Sequence, residues 1–297
     1  MRGIKPADLM TFLAVAKQLS FSRAARDLGV TPSALSHTIR GIEERLGVRL
    51  LNRTTRSVAL TEAGERLVSR IGPAFRDIDD ALDDLNVSQG RVAGKLRISI
   101  GLVAARIALL PVVTRFLARY PDVEVEIVSD DALVDVVAEG FDVGVRFGEV
   151  IAGDMIAVPL VPRMRSAVVA TPAFFAAHGK PNAPQDLRGM PCIRQRFPSG
   201  AMYHWEFERG GIELVLEVDG PLVLREMSLC ALAALDGAGM AFVFEKLVEE
   251  DIAAGRLVRV LEDWCPYHPG MFLYYPGRRQ LPAVLKAFID FVRTHPQ

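Results

Sequence analysis

Cysteine is nearly absent from this chain: Cys192, Cys230 and Cys265 are the three among 297 residues, and they stand far apart. They form no CxxC pair and no metal-ligand spacing, and so small and odd a number builds no disulfide framework and fits a reducing compartment. Cys230 sits in Leu229-Cys230-Ala231-Leu232, an apolar stretch that predicts a buried, inert thiol rather than a redox switch. His37, His178, His204, His268 and His295 are scattered without ligand spacing. A GxSxG elbow, an HExxH, a P-loop and a GxGxxG at a strand–helix turn are all missing. These absences leave no case for an enzyme, a metal site or a resident cofactor. No apolar run approaches the ~18 residues of a membrane span. The early apolar residues (Leu9, Phe12, Leu13, Val15, Ala16) are interrupted by Lys17 and lack a small-residue cleavage site, so no secretion signal is read. The expectation is a cytoplasmic protein with no membrane partner.

Charge is also nearly absent on balance, at −1 overall, but its distribution is uneven. Residues 1–60 hold ten Lys and Arg against four acids, a balance of +6, which leaves −7 for the rest. A basic module attracts phosphates while an acidic remainder keeps the whole in solution. At ~100–200 residues per domain the length predicts two or more domains.

Within the basic module, Leu9, Phe12, Leu13 and Ala16 share one face of a helix over 8–19. Ser22 is read as the N-cap of a second helix, Arg23–Leu28, with Gly29 as its left-handed stop. Thr31-Pro32 opens a third helix that Gly47 ends. Two short helices joined by a tight Gly-containing turn are the helix-turn-helix pattern. In the third helix Leu35, Ile39, Ile42 and Leu46 fall on one stripe, while Ser33, His37, Arg40 and Glu44 fall on the other. A face bearing a hydroxyl, an imidazole and a guanidinium suits base edges and phosphates, although taken alone it also describes a solvated helix surface. The segment Val48–Thr61 reads as a small hairpin with a basic tip around Arg53-Thr54-Thr55-Arg56-Ser57, the shape of a wing.

Thr61 caps the next helix, along which Leu67, Ile71, Ala74, Ile78, Ala81 and Leu85 are spaced 4, 3, 4, 3, 4, a heptad seam. A helix otherwise so polar needs a partner for that seam. Self-association is the economical reading, and packing on the protein's own body is the alternative. Gly72-Pro73 predicts a bend. Beyond a hinge at 89–94 the period changes to alternating strands and helices: strands at 96–100, 123–128, 142–147, 167–170, 214–218, 241–244, 257–260 and 272–275, with helices at 105–119, 133–139, 227–235 and 282–294. That alternation predicts an α/β domain with a largely parallel sheet, in two lobes suited to a cleft.

The stretch Ser20-Phe21-Ser22-Arg23-Ala24-Ala25-Arg26-Asp27-Leu28-Gly29-Val30-Thr31-Pro32-Ser33-Ala34-Leu35-Ser36 resembles the helix-turn-helix of the LysR-type transcriptional regulators. Leu46-Gly47-Val48-Arg49-Leu50-Leu51-Asn52-Arg53 and Leu60-Thr61-Glu62-Ala63-Gly64 resemble the wing and the start of the linker helix in that family. Leu117-Ala118-Arg119-Tyr120-Pro121-Asp122-Val123 and Glu139-Gly140-Phe141-Asp142-Val143-Gly144-Val145-Arg146-Phe147-Gly148 resemble its effector domain, more loosely. The resemblance implies an N-terminal all-α winged helix-turn-helix (1–60), a dimerisation linker helix (61–88), a hinge (89–94) and a two-lobed, periplasmic-binding-protein-like α/β effector domain (95–297). Its first lobe is placed at about 95–160 and 268–297, its second at about 161–267. It implies double-stranded operator DNA, a small-molecule effector, a homodimer or homotetramer, and an RNA polymerase contact if the member is an activator. Carried onto this chain, the readers are Ser33, Ser36, His37 and Arg40, and the wing contacts are Arg53 and Arg56. His37 and Asn52 depart from the residues common there.

Ligands of open α/β sheets bind beyond the carboxyl ends of the strands. That nominates Gly101 and Leu102 with the two residues after them, then Ser129 and Asp130, then Arg146 and Phe147. The second lobe offers Arg194, Arg196, Phe197 and Ser199. Many relatives place a hydroxyl just after the first strand to hold a carboxylate; Gly101-Leu102-Val103-Ala104 has none. Arg146 is either a ligand cation or the partner of Asp130 or Asp142. Tyr203 and Trp205 either stack on a ligand or pack in the core. A transport solute-binding protein would share such lobes, but not the basic module.

Overall fold

In a computed structural model the chain is described over residues 3–53, 57–87, 91–129, 139–147, 155–277 and 281–295, the side chains of 76, 77 and 79–87 excepted. It divides near residue 91 into two compact units.

The first unit begins with α1 (Pro6–Gln18), α2 (Phe21–Asp27) and α3 (Pro32–Leu46). Ser20 caps α2, with extended backbone and a hydroxyl that accepts the Arg23 N–H at 3.4 Å. Ser22 is not the cap, because it already lies inside the helix. Gly29 takes a φ of +65°, and the Val30 N–H returns to the Ala25 carbonyl at 3.0 Å, closing α2 as a Schellman turn. The Thr31 hydroxyl accepts the Ala34 N–H and Pro32 fills the first helical position of α3. The helices enclose Phe12, Val15, Ala24, Ala25, Leu35, Ile39 and Ile42, with Leu50 and Leu51 from the next segment. Each large member contributes about 1.5–3 kcal/mol on burial.

Strands β1 (Leu51–Arg53) and β2 (Val58–Leu60) form an antiparallel hairpin, Asn52 opposite Ala59; its tip, with Arg56, lies outside the described residues. Thr61 then caps α4 (Glu62–Val87), accepting the Gly64 N–H at 3.1 Å and donating to the Arg49 carbonyl at 2.7 Å. The helix continues through Pro73. Leu67 and Ile71, expected on a seam for a second chain, are partly buried against the core of their own unit. Ala74 and Ile78 are exposed, Ile78 by 55%. The side chains of Ala81 and Leu85 lie outside the described residues.

The second unit opens with β3 (Gly94–Ile100), followed by a helical turn α5 (Leu102–Ala104), a π turn (Ala105–Leu109) and α6 (Leu110–Arg119). Strands β4 (Val123–Ser129), β5 (Val143–Phe147) and β6 (Met155–Met164) complete the outward half of the first lobe. The expected helix at 133–139 falls almost wholly on residues outside the description. The second lobe holds β7 (Ser166–Ala170), α7 (Pro172–His178), β8 (Ile193–Gln195), β9 (Trp205–Arg209), β10 (Ile212–Leu216), β11 (Leu222–Leu224), α8 (Met227–Leu235), β12 (Ala241–Phe244), α9 (Glu245–Ala253) and β13 (Val258–Val260). The chain returns with β14 (His268–Pro276) and α10 (Ala283–Thr294).

The first lobe's sheet has the order β4-β3-β5-β14-β6, and α6 and α10 help bury its Leu96, Ile98 and Ile100. β3 is parallel to β4 and β5, but β14 comes back from the other lobe and runs against β5 and β6. In the second lobe β7 is flanked antiparallel by β12 and β13, and β8 pairs in parallel with β11. The sheets are therefore mixed, not largely parallel. The two crossings between lobes lie together. Arg165 on the first crossing donates to Glu245 at 2.5 and 2.7 Å, and its guanidinium lies 4.8 Å from the ring of Tyr267 on the second. Arg259 binds the same Glu245.

All three thiols are buried. Burial pushes Cys192 up to about 12 and Cys230 and Cys265 up to about 11. The native thiols should therefore be alkylated by iodoacetamide at pH 8 far more slowly than in urea-unfolded chain, and native rates equal to unfolded ones would contradict this burial.

Gly64, in the first turn of α4, has no room for a methyl: a Cβ there would strike the Leu50 carbonyl oxygen. Gly→Ala ordinarily stabilises a helix by about 1 kcal/mol. Here Gly64→Ala should destabilise the first unit by about 1–3 kcal/mol as an overpacking change, read by urea melts; a more stable variant would show that the contact gives way.

Candidate functional site

Two surfaces collect the chemistry. The first is the outer side of α3. Leu35, Ile39 and Ile42 turn inward, so Ser33, His37 and Arg40 are left exposed and Ser36 half-buried. The Ser33 hydroxyl lies 3.1 Å from that of Thr31. Among the described residues His37 and Arg40 make no hydrogen bond or ion pair. The structure thus brings the four expected readers onto one side of one helix. Arg53, expected as a free wing cation, is different. Its Nη2 donates to Glu43 at 3.0 Å, its Nη1 donates to the Ser36 hydroxyl at 3.1 Å, and its guanidinium covers the ring of Phe21. Glu43 escaped the sequence reading, because it lies on neither the apolar stripe nor the outer face. Its other oxygen accepts the N–H groups of Leu50 and Leu51 at 2.9 and 3.1 Å.

The second surface is a cleft of about 1020 Å³ in the C-terminal unit. The strand order explains its place. From β3 the chain moves to β4 on one side and later to β5 on the other, so the order reverses between β3 and β5. Such a switch point leaves a crevice at the carboxyl ends. Gly101, Val103 and Ala104 line it from the end of β3, and Val145, Arg146 and Phe147 from β5. The backbone after β3 begins a helix whose first N–H groups receive no side-chain cap. Ser129 does not line the cleft, since β4 lies on the far side of β3. Leu102 is 44% exposed and also stays out. Arg196 does not enter because Gln195 and Phe197 do, and successive residues of an extended chain face opposite ways. Asp142 accepts the Arg97 N–H at 2.6 Å, and Arg146 donates to its own neighbour's carbonyl, Val145, at 2.8 Å.

The second lobe's wall went largely unread in the sequence. It includes Phe197, Ser199 and Tyr203, residues from both faces of the β9–β10 hairpin (Glu206, Phe207, Glu208, Glu213, Leu214, Val215), then Arg225 and Glu226, and Phe242 and Phe244 of β12. Phe197 and Ser199, which follow β8 in its parallel pair with β11, were expected there, but the strand-end rule gives no direction in an antiparallel pair, so it could not nominate the hairpin or β12 residues. Trp205 is 1% exposed and stacks on Phe242 in the core. Tyr203 does line the cleft. Burial, with Glu206 adding to it, pushes its phenol up, so it stays a neutral hydroxyl at neutral pH. Phe147 and Phe244 meet across the lobes at 5.5 Å between ring centres.

Residues 6–65 match the bacterial regulatory helix-turn-helix protein, lysR family, and residues 89–297 match the LysR substrate binding domain. A protein of Pseudomonas aeruginosa PAO1 is 47% identical over 292 residues, 98% of this chain and 95% of that protein. The HTH-type transcriptional regulator PgrR of Escherichia coli K12 is 42% identical over 291 residues, 98% and 97% of the two chains. The structure of CrgA, a LysR-type transcriptional regulator from Neisseria meningitidis, aligns with a TM-score of 0.61 at 27% identity over 97% of each chain. Among the described residues no helix is long and apolar enough to cross a membrane. With a winged helix-turn-helix ahead of a two-lobed cleft domain, both matched over their length, the chain belongs to the LysR-type transcriptional regulators, sequence-specific DNA-binding proteins whose C-terminal domain binds a small-molecule effector.

Proposed function

We propose that this chain acts in the cytoplasm as a homo-oligomeric regulator, a dimer that pairs further into a tetramer on operator DNA, with no catalytic activity and no resident cofactor. The observation that carries the DNA-reading assignment is the outer face of α3, where His37 and Arg40 stand exposed without a partner among the described residues. A guanidinium and an imidazole left exposed and unpaired, beside two hydroxyls, are donors available to base edges in the major groove. Ser33, Ser36, His37 and Arg40 are the proposed readers, and Arg56 the proposed phosphate or minor-groove contact of the wing. If the protein activates transcription, RNA polymerase is a further partner.

The proposed effector has a sizeable apolar body. The cleft is large and walled by Phe147, Phe197, Phe242 and Phe244, with Tyr203, Arg146 and the helix start after Gly101 as polar fixtures. Without a hydroxyl after β3, an anionic group placed at that strand end would rest on backbone N–H groups, with Arg146 lining the same cleft. The dimer seam is proposed to begin at Ala74 and Ile78, with Ala81 and Leu85 beyond them, because Leu67 and Ile71 are occupied by their own unit.

Arg40→Ala should weaken binding to a duplex enriched from a random pool by about 1–3 kcal/mol and relax the selected sequence; unchanged binding would remove this face from the assignment. Ile78→Lys should shift the full-length protein toward monomer in sedimentation velocity while its melting stays near wild type. An intact oligomer would place the seam elsewhere.

A further inference from the structure

We propose that Glu43 and Arg53 are positioning residues for DNA recognition: Glu43 fixes the wing's first strand and the Arg53 fork, and the fork presents the Ser36 hydroxyl to DNA. The proposal rests on α3 being the recognition helix, which the Arg40 variant tests separately.

Arg53 is held on three sides, by Ser36, by Glu43 and by the ring of Phe21, and its side chain is 26% exposed. Glu43 is 14% exposed and has both oxygens engaged. Arg40, by contrast, is exposed and unpaired. A guanidinium engaged in this way has its charge already met by a carboxylate and its plane fixed between α3 and β1, so it has less to offer a phosphate than the exposed Arg40. It is better placed as a strut between α3 and β1. The strut has a chemical consequence for Ser36. A serine hydroxyl has one proton and two lone pairs. Arg53 donates to it, so one lone pair is filled and the proton is left to be donated outward. Ser36 lies between Ser33 and Arg40 along the reading side, so its proton meets base-edge acceptors: guanine O6 or N7, adenine N7 or thymine O4.

Lysine at position 53 separates the two roles. It keeps the charge that a phosphate contact needs, but a single ammonium cannot reproduce a planar fork. The experiment measures binding of the full-length protein to the duplex that wild type enriches from a random pool, across a salt series. Arg53→Lys is expected to lose about tenfold or more in affinity, equivalent to one good fork contact, with the salt slope unchanged. Glu43→Gln is expected to lose a similar factor, and the double variant Glu43→Gln/Arg53→Gln to be no worse than its weaker parent. Ser36→Ala, which removes no core contact, is expected to relax the selected sequence at the same base positions as Arg53→Lys, and it tests the idea even if the charge variants fold poorly. Wild-type affinity in Arg53→Lys overturns the proposal. So does an Arg53→Gln slope flattened by about one phosphate contact beside a silent Glu43→Gln, or a Ser36→Ala variant that selects the wild-type sequence.

Discussion

A carboxylate largely withdrawn from water must have its lone pairs filled, and Glu43 fills them from the backbone on one side and from Arg53 on the other. Much of the N-terminal unit is referenced to that group. It holds the amides of Leu50 and Leu51, and these residues are themselves fully buried members of the helical core. The segment leading into β1 offers the Arg49 carbonyl to the Thr61 hydroxyl and the Leu50 carbonyl to the Thr61 N–H. Thr61 starts α4, and Gly64 lets that helix pass close over Leu50. The recognition helix, the wing and the linker helix thus share one origin a few residues wide.

The helices of this unit were legible because their signals are local. Thr31-Pro32, Gly29 and Gly47 act within one turn of where they stand, and the spacing of Leu35, Ile39 and Ile42 is read along a single helix. The cap of α2 was misread by two residues because serines flank Phe21 on both sides and only the backbone decides between them. The role of Arg53 was not legible at all. Its partners stand 17 and 10 residues away, and nothing in the order of residues says that a wing arginine turns back toward its own helix.

In the C-terminal unit, helix α8 and strand β12 fall at the expected residues, since β12 is wholly apolar and α8 is apolar but for Ser228 near its start. Strand direction was another matter. Pairing in a sheet is decided between segments far apart in the chain, and β14 reverses because it returns from the second lobe. The same cause divides the cleft into a part that could be foreseen and a part that could not. Gly101, Arg146 and Phe147 follow from the carboxyl-end rule in a parallel arrangement. So do Phe197 and Ser199 after β8, whereas Glu206, Glu208, Glu213, Phe242 and Phe244 belong to antiparallel strands and a hairpin, where that rule is silent.

The clasp at the lobe crossings bears on how occupancy of the cleft could be felt elsewhere. Both connecting strands are tethered at one place, by Arg165 to Glu245 and by Tyr267 to Arg165. The two crossings are therefore not independent connections: whatever one lobe transmits to the other passes through strands of chain pinned to each other at Arg165.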